Sequence, residues 1–592
     1  MIDFSFIYTS RNNNQISKRS RDFFETLYSA DQIETIHEDR YCLTMVKDGK
    51  AIPVQNFLHY GSPNYLLLLM GDLRINDHVP GVINEDALLE NAAKVLNNKE
   101  FYKLDGNFLI LSVDAAASEI KIINSKLGLI PCYYYSQGDE IIISTRLGLF
   151  KYVIDELMIN WGAVAQYSLY NYVISDVTFY KSIYTLFPAG ILSFKTNAFS
   201  LSSYWSIEDE MIDRPLNFSE SVNLLDNALN EIFLDILEEG KKIAISLTGG
   251  WDGRILLAYA SKFLQNDHIV LYSFGSKDSP DVWIPSENAG NLGYQYLPID
   301  LGQGEYAEAI SSWAAETIYR SDGLRSAIRS HYLYSMNYLQ DKADFAITGI
   351  GGSNLIKSKD YQPSNVYNQW VLELMLSEGF EKVLKQHFSY LKENYPEFFI
   401  ELSEKEFIDS FNTQRINSLF GLYSPKKRMF HFLIGDVERK YFGYELMSYR
   451  HMMTNCAPFF DMRFIKALAK TTLLGGYTSG TTGSNFLKSA YLYAKLVNRN
   501  APKLAKQKTD RGFSFHDLLH PFNPNMIIRY VNMKKKVKNK SGDYFRNKEI
   551  LKKMASVYLG DYKEITEKYP QDEFTANYLS TILYLRKLGE NL

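Results

Sequence analysis

The chain has 592 residues, 46% of them hydrophobic and 22% charged, with a formal net charge of -4. This is ordinary globular composition for roughly two to four domains, and so small a charge gives no global pull toward nucleic acid or an anionic membrane. Cys42, Cys132 and Cys456 lie far apart in no C-x-x-C or Cys/His spacing, which argues against a metal knuckle or a disulfide framework and fits a reducing cytoplasm.

The opening MIDFSFIYTSRNNN has no charged segment leading into a long apolar core, so no signal peptide is expected. No window approaches ~18 uninterrupted apolar residues, so no membrane insertion is expected either. Residues 1 to about 205 read as strand-rich: YLLLLM, FLILSV, IKII, CYYY and EIIIST are short apolar runs between turn residues. One helical stretch, EDALLENAAKVLNN, interrupts them. From about 215 the period changes, and SESVNLLDNALNEIFLDILEEG places apolar residues at helical spacing. IAISL, HIVLYSFG and DFAITGIGG then alternate with helical segments, the pattern of a mostly parallel sheet between helices. Beyond about 365 the chain reads as mainly helical, with EGFEKVLKQHFSYLKENY and NFLKSAYLYAKLV as clear cases. The basic run Lys534 to Lys540 lacks interleaved aromatics and reads as a solvated helix end or loop rather than a nucleic-acid patch.

The densest chemistry lies in IAISLTGGWDGRILLAYA, residues 243 to 260. A strand enters the turn Thr248-Gly249-Gly250, and Trp251-Asp252-Gly253-Arg254 opens a helix. Such a junction presents unpaired backbone N–H groups to an anion. Gly249 and Gly250 let the backbone close on phosphate oxygens, and Asp252 is a hard oxygen ligand for Mg²⁺ held against those phosphates. A plain strand-turn-helix with a Gly-Gly turn is the competing reading. No Gly-Lys-Ser/Thr follows, and the G-x-G-x-x-G spacing is absent, so neither a Walker A loop nor a dinucleotide fingerprint is present.

The loop resembles the S-G-G-x-D-S pyrophosphate loop of the asparagine synthetase-like ATP pyrophosphatases, with Thr248 and Gly253 at its two serine positions. Other segments follow that family's order. Leu104-Asp105-Gly106-Asn107-Phe108 is similar to L-D-G-x-F, Lys126 to Pro131 to R-L-G-I-K-P, Leu186 to Gly190 to L-P-P-G, and Tyr204-Trp205 to a closing Y-W. Further on, Ser273-Phe274-Gly275 with Asp281 resembles the segment near the adenine, and Thr348 to Leu355 resembles S-G-E-G-A-D-E-L. Pro458-Phe459-Phe460-Asp461 is similar to P-F-L-D, and Lys506-Gln507-Lys508 with Arg511-Gly512-Phe513 resembles the R-x-K stretch and its glycine tail. The resemblance implies an α/β chain of two domains. Residues 1–205 would be an Ntn-type α/β/β/α sandwich of glutaminase type, and residues 206–592 a doubly wound parallel-sheet ATP-pyrophosphatase domain with a helical C-terminal part.

The resemblance also implies losses. The family places cysteine directly after the initiator methionine, where this chain has Ile2, and its oxyanion-hole asparagine falls at Met70, before Gly71. The N-terminal part is therefore expected to be a remnant unable to hydrolyse glutamine, with Cys42 a buried thiol rather than a nucleophile. Three acidic positions of the third-strand loop are Ile350, Ser353 and Asn354, which leaves Mg²⁺ to Asp252 and the ATP phosphates. The residues 477 to 483, YTSGTTG, resemble the phosphate loop of acyl-CoA ligases, but the expected x-P-K does not follow, and a polar loop is the simpler reading.

The implied activity is ATP- and Mg²⁺-dependent adenylation of a carboxylate, release of pyrophosphate, and amide formation with ammonia or a substrate amine. Lys508 would meet the charge that develops at the acyl-AMP centre. Thr248, Gly249, Gly250, Asp252, Gly253, Arg254, Gly275, Gly349 and Gly351 would hold ATP, with Asp252 the metal ligand. Arg254 would reach a phosphate or form a surface pair. The partners would be ATP and an amino acid, peptide or sugar acid, in the cytoplasm. A non-catalytic scaffold that keeps the fold is the reading of a different class.

Overall fold

The computed structural model describes residues 3–9, 13–38, 40–47, 58–62, 65–75, 85–114, 117–195, 198–237, 240–356, 361, 363–364, 366–474, 484–520, 528–533, 543–560 and 568–590. Ile2, the YTSGTTG stretch and the basic run Lys534 to Lys540 lie outside the described residues.

The N-terminal part runs β1 (Asp3–Tyr8), α1 (Asn13–Glu25), β2 (Ile33–His37), β3 (Tyr41–Val46), β4 (Leu58–Ser62), β5 (Tyr65–Ile75) and α2 (Glu85–Asn97). It continues through β6 (Leu104–Asp114), β7 (Glu119–Asn124), β8 (Tyr133–Gln137), β9 (Glu140–Ser144), α3 (Leu149–Val153), α4 (Trp161–Tyr170), β10 (Tyr184–Thr185), β11 (Gly190–Lys195) and β12 (Ala198–Ser203). The strands form two six-stranded sheets, ordered β10-β8-β9-β1-β3-β2 and β12-β11-β7-β6-β5-β4, with antiparallel pairing throughout.

Strand periodicity decides how the sheets stack. Phe4 and Phe6 of β1 share one buried cluster with Leu43, Leu68, Leu109, Leu111 and Ile143, so the inner faces of both sheets meet. The alternate residues point the other way. Ile7, Cys42 and Ile142 pack with Phe23 and Phe24 of α1, while Leu67, Leu69, Phe108 and Ile110 pack with Leu88, Leu89 and Leu96 of α2. The layers are therefore helix, sheet, sheet, helix, the expected α/β/β/α sandwich.

The third sheet belongs to another class. After α5 (Phe218–Ile236) come β13 (Ile243–Ser246), α6 (Asp252–Phe263), β14 (Ile269–Gly275), α7 (Pro280–Leu292), β15 (Gln295–Asp300), β16 (Phe345–Ile347) and β17 (Asn455–Cys456). The order β15-β14-β13-β16-β17 is parallel at every pairing. Ala244, Tyr272 and Ala346 pack into one cluster with helical residues 310–339, and Ile245, Leu271 and Ile347 into another with α5 and α6. Both faces are covered, as a doubly wound sheet requires. Helices dominate from residue 369 onward.

Buried ion pairs join the sandwich to the rest of the chain. Arg74 reaches Asp461 at 2.7 Å, and Asp105 lies between Lys126 at 2.6 Å and Lys466 at 2.5 Å. Arg146 bridges Asp3 at 3.5 Å and Asp322 at 3.2 Å. Farther along, Asp436 accepts Arg415 at 2.6 Å, Arg439 at 3.1 Å and Lys440 at 3.4 Å, while Arg439 also meets Asp176 at 2.9 Å. Burial works to raise the Asp436 pKa, but the three cations outweigh it and hold the carboxyl at about 2. Burial alone would cost several kcal/mol per ion, so such pairs persist only where geometry is good.

A carboxyl depressed in the folded state adds stability that is present above the unfolded value of ~3.9 and is lost as pH falls toward 2. Asp436→Asn should therefore cost ~3–5 kcal/mol at pH 7, as removal of one buried partner does. Chemical unfolding should show the gap to wild type narrowing below pH ~4. A gap that is constant with pH would contradict the role given to Asp436.

Candidate functional site

The parallel sheet places its loops. β13 has β14 on one side and β16 on the other, so the chain leaves β13 in opposite directions and a crevice opens beyond the carboxyl ends of these strands. Into it project the turn at 247–251 after β13, Gly275 at the end of β14, and Thr348 to Gly351 after β16.

The residues read from the sequence meet here. A Cβ on Gly349 would lie 2.8 Å from the Asp252 Cβ, and one on Gly352 would lie 2.9 Å from Asp252 Oδ1, so the two loops touch through glycines. Gly351, at φ +86°, packs on Phe460. Gly249 N–H donates to Asp281 Oδ1 at 3.2 Å and Gly250 N–H to Thr248 Oγ1 at 3.1 Å. Asp281 sits in the first turn of α7, whose start packs beside Gly275. A carboxylate oxygen thus stands on a loop amide.

The segment after residue 506 docks on the same turn. Asp510 N–H donates to Gly249 O at 2.8 Å. Arg254 donates from Nε to Gly250 O at 3.0 Å and from Nη2 to Lys508 O at 2.7 Å. Asn288 Nδ2 reaches the same Lys508 carbonyl at 3.2 Å. The Lys508 side chain is exposed, beside the turn its main chain closes.

Three details were not read from the sequence. Arg254 is 0% exposed rather than paired at the surface, and among the described residues its buried Nη1 has no hydrogen-bond partner. Burial draws its pKa down to about 10, against an opposing pull from Asp510. Gly253 is more than a lost hydroxyl, because a Cβ there would lie 2.3 Å from Ser246 O. Ser353 donates to Asp252 Oδ2, and Tyr493 Oη donates to Asp252 Oδ1 at 2.5 Å, so both carboxylate oxygens are engaged by hydroxyls. Burial first, and then the Asp252 charge, push Tyr493 well above the usual phenol range.

Sequence reasoning missed Tyr493, Asp510 and the Asp281 contact. Tyr493 is one aromatic on a helix, Ser484–Asn500, whose apolar period conceals it. Among the described residues no cluster of three or more His, Cys, Asp or Glu side chains could hold a metal. Mg²⁺ commonly keeps several waters and takes one or two carboxylates plus substrate phosphates, so Asp252 with ATP phosphates is a chemically adequate set.

The glutaminase positions were also located. Met70 is fully buried between the two sheets, so it supplies no donor to a cleft. Cys42 is buried beneath α1, and burial pushes its thiol up to about 12, opposed by a hydrogen bond with Ser17. That is the reverse of what a nucleophilic thiol needs.

Comparison with known proteins bears on these readings. Residues 87–205 match the family described as a glutamine amidotransferase domain. A probable glutamine-hydrolysing asparagine synthetase of Acanthamoeba polyphaga mimivirus is 24% identical over 272 residues, 44% of this chain and 47% of that protein. The chain thus spans about half the length of this relative. The glutamine phosphoribosylpyrophosphate amidotransferase of B. subtilis, solved with ADP and GMP, aligns over 50% of this chain and 65% of its own at 10% identity, TM-score 0.22. An allosteric regulatory enzyme of purine biosynthesis aligns over 50% and 80%, also at 10% identity, TM-score 0.21.

Gly253→Ser would complete the family loop yet should destabilise the chain by ~1–3 kcal/mol, since the added atoms meet the β13 backbone. Urea unfolding measures this, and a variant as stable as wild type would contradict the close packing. Residues 87–205 thus match a glutamine amidotransferase domain, and part of the chain is similar to an asparagine synthetase.

Proposed function

We propose that the chain is an ATP-dependent ligase that adenylates a carboxylate, releases pyrophosphate and forms an amide with ammonia or a substrate amine. The observation that carries this reading is the crevice at the switch of the parallel sheet. There the Asp510 N–H to Gly249 O bond and the Arg254 side chain hold the 248–254 turn, which carries Asp252, against the Lys508 segment. Loop amides, with the positive end of α6 behind them, suit phosphate oxygens. Asp252 would exchange a hydroxyl donor for Mg²⁺, which neutralises phosphate charge when bound. Lys508, by its matching position in the family, would stabilise charge as AMP departs, and such preorganised electrostatics usually dominate the barrier. Gly349 leaves Asp252 the room it needs, and Arg254 holds the turn to the Lys508 segment.

A second reading, a scaffold that keeps the fold without turnover, is favoured by the Asp252 carboxylate being capped by Ser353 and Tyr493. Nucleotide binding separates the two. ATP with Mg²⁺ should raise the melting temperature, since a ligand that binds only the folded state stabilises it by mass action. Asp252→Ala should remove most of that shift, and an equal shift in the variant would place the nucleotide elsewhere. Lys508→Ala should keep the shift but lose ~10²–10³-fold in pyrophosphate release once an acid is supplied. Loss of ATP binding, with turnover per bound ATP intact, would make Lys508 a nucleotide ligand instead.

Nitrogen should not come from glutamine. Met70 is in the core, and Cys42 is a buried thiol of raised pKa. Purified protein should release no glutamate from glutamine, whereas release abolished by Cys42→Ala would overturn this part of the reading.

A further inference from the structure

A second cavity of about 270 Å³ opens where the end of the sandwich meets helical residues 414–435. Its lining shares no residue with the crevice described above. Trp205 and the Tyr423–His431 pair form its flat walls, the latter two rings stacked with centroids 3.9 Å apart. Its polar groups are lopsided. Arg415 donates to Asp436 through Nε at 2.6 Å, while its Nη groups make no hydrogen bond among the described residues. Gly435 makes room for this guanidinium, since a Cβ there would sit 2.1 Å from Arg415 Nη2. Among the described residues His431 Nε2 is buried without a hydrogen-bond partner, with Glu208 Oε1 3.4 Å away.

Charge around Arg415 is uneven as well. Arg415, Arg439 and Lys440 share two carboxylates, Asp436 and Asp176, while Glu208 pairs with Lys427 and His431, so Arg415 is the cation that shares its carboxylate with two others. Gly435 and Asp436 lie in a π-helical turn, Leu433–Val437, a rare geometry concentrated at functional sites. Free guanidinium N–H groups facing a space with aromatic walls match a planar carboxylate on an apolar body.

We propose that this cavity binds a small organic carboxylate carried on an aromatic ring system. Arg415 takes the carboxylate, His431 Nε2 gives a second polar contact, and Trp205 and Tyr423 flank the ring. The cavity shares no lining residue with the crevice proposed to hold nucleotide.

Calorimetric titration with 2-naphthoate tests it, with 2-naphthalenemethanol as the uncharged analogue. Naphthoate should bind roughly tenfold or more tighter than the alcohol, the usual worth of a charge-assisted pair. Arg415→Gln, which still offers Asp436 a donor, should lose that preference. Ser418→Trp, which fills the cavity from its rim and leaves Arg415 in place, should abolish binding of both probes, with the fold checked by melting. Asp252→Ala should leave naphthoate binding unchanged. Equal affinity for acid and alcohol, binding unaffected by both cavity variants, or no binding at millimolar naphthoate would each overturn the proposal.

Discussion

One buried guanidinium governs the crevice. Arg254 stands in the first turn of α6, wholly out of water, and is held by main-chain carbonyls at Gly250 and Lys508 rather than by a hydrogen-bonded carboxylate. An ionised group in that position is costly unless its hydrogen bonds are made, so the two carbonyls are fixed where Arg254 needs them. The turn after β13 and the segment that carries Lys508 are thereby joined, and Asp510 N–H to Gly249 O adds a second tie. The turn proposed to bind phosphate and the lysine proposed to act in the chemistry share these two ties.

A similar economy marks the contact between the two halves. The segments that carried the family likeness in the N-terminal part lie in the matched amidotransferase region, yet their charged residues serve the seam. Asp105 of the L-D-G-x-F stretch pairs with Lys126 and Lys466, and Asp461 of P-F-F-D pairs with Arg74. Asp461 also caps the helix Met462–Ala469 through Arg463 N–H. In this chain these positions act in assembly.

Much of this was legible from periodicity. The helix at 85–97, α5, the strands at 243 and 269, and the helices at 380–394 and 484–500 fall where the apolar spacing put them. β1 to β3, β15 and β17 escaped notice: QYLPID is broken by proline, and Asn455–Cys456 is only two residues long. In the crevice, glycines and Asp252 were readable because backbone chemistry demands those residue types. Burial was not readable. Arg254 looks like any polar residue on an amphipathic helix, and only the docking of residues 508–510 puts it out of solvent. Nor could the chain order show that Ser353 and Tyr493, 140 positions apart, would meet on the same carboxylate. Those contacts depend on tertiary packing, which local pattern does not encode.

The most direct test of the adenylation account is the identity of the nucleotide product. Purified protein with Mg²⁺, ATP and a panel of amino acids, sugar acids and peptides would be followed by phosphorus NMR. The account requires AMP and pyrophosphate, formed in equal amounts and only when the correct acid is present. ADP and inorganic phosphate as the products, or tight ATP binding with no AMP from any acid in the panel, would contradict it.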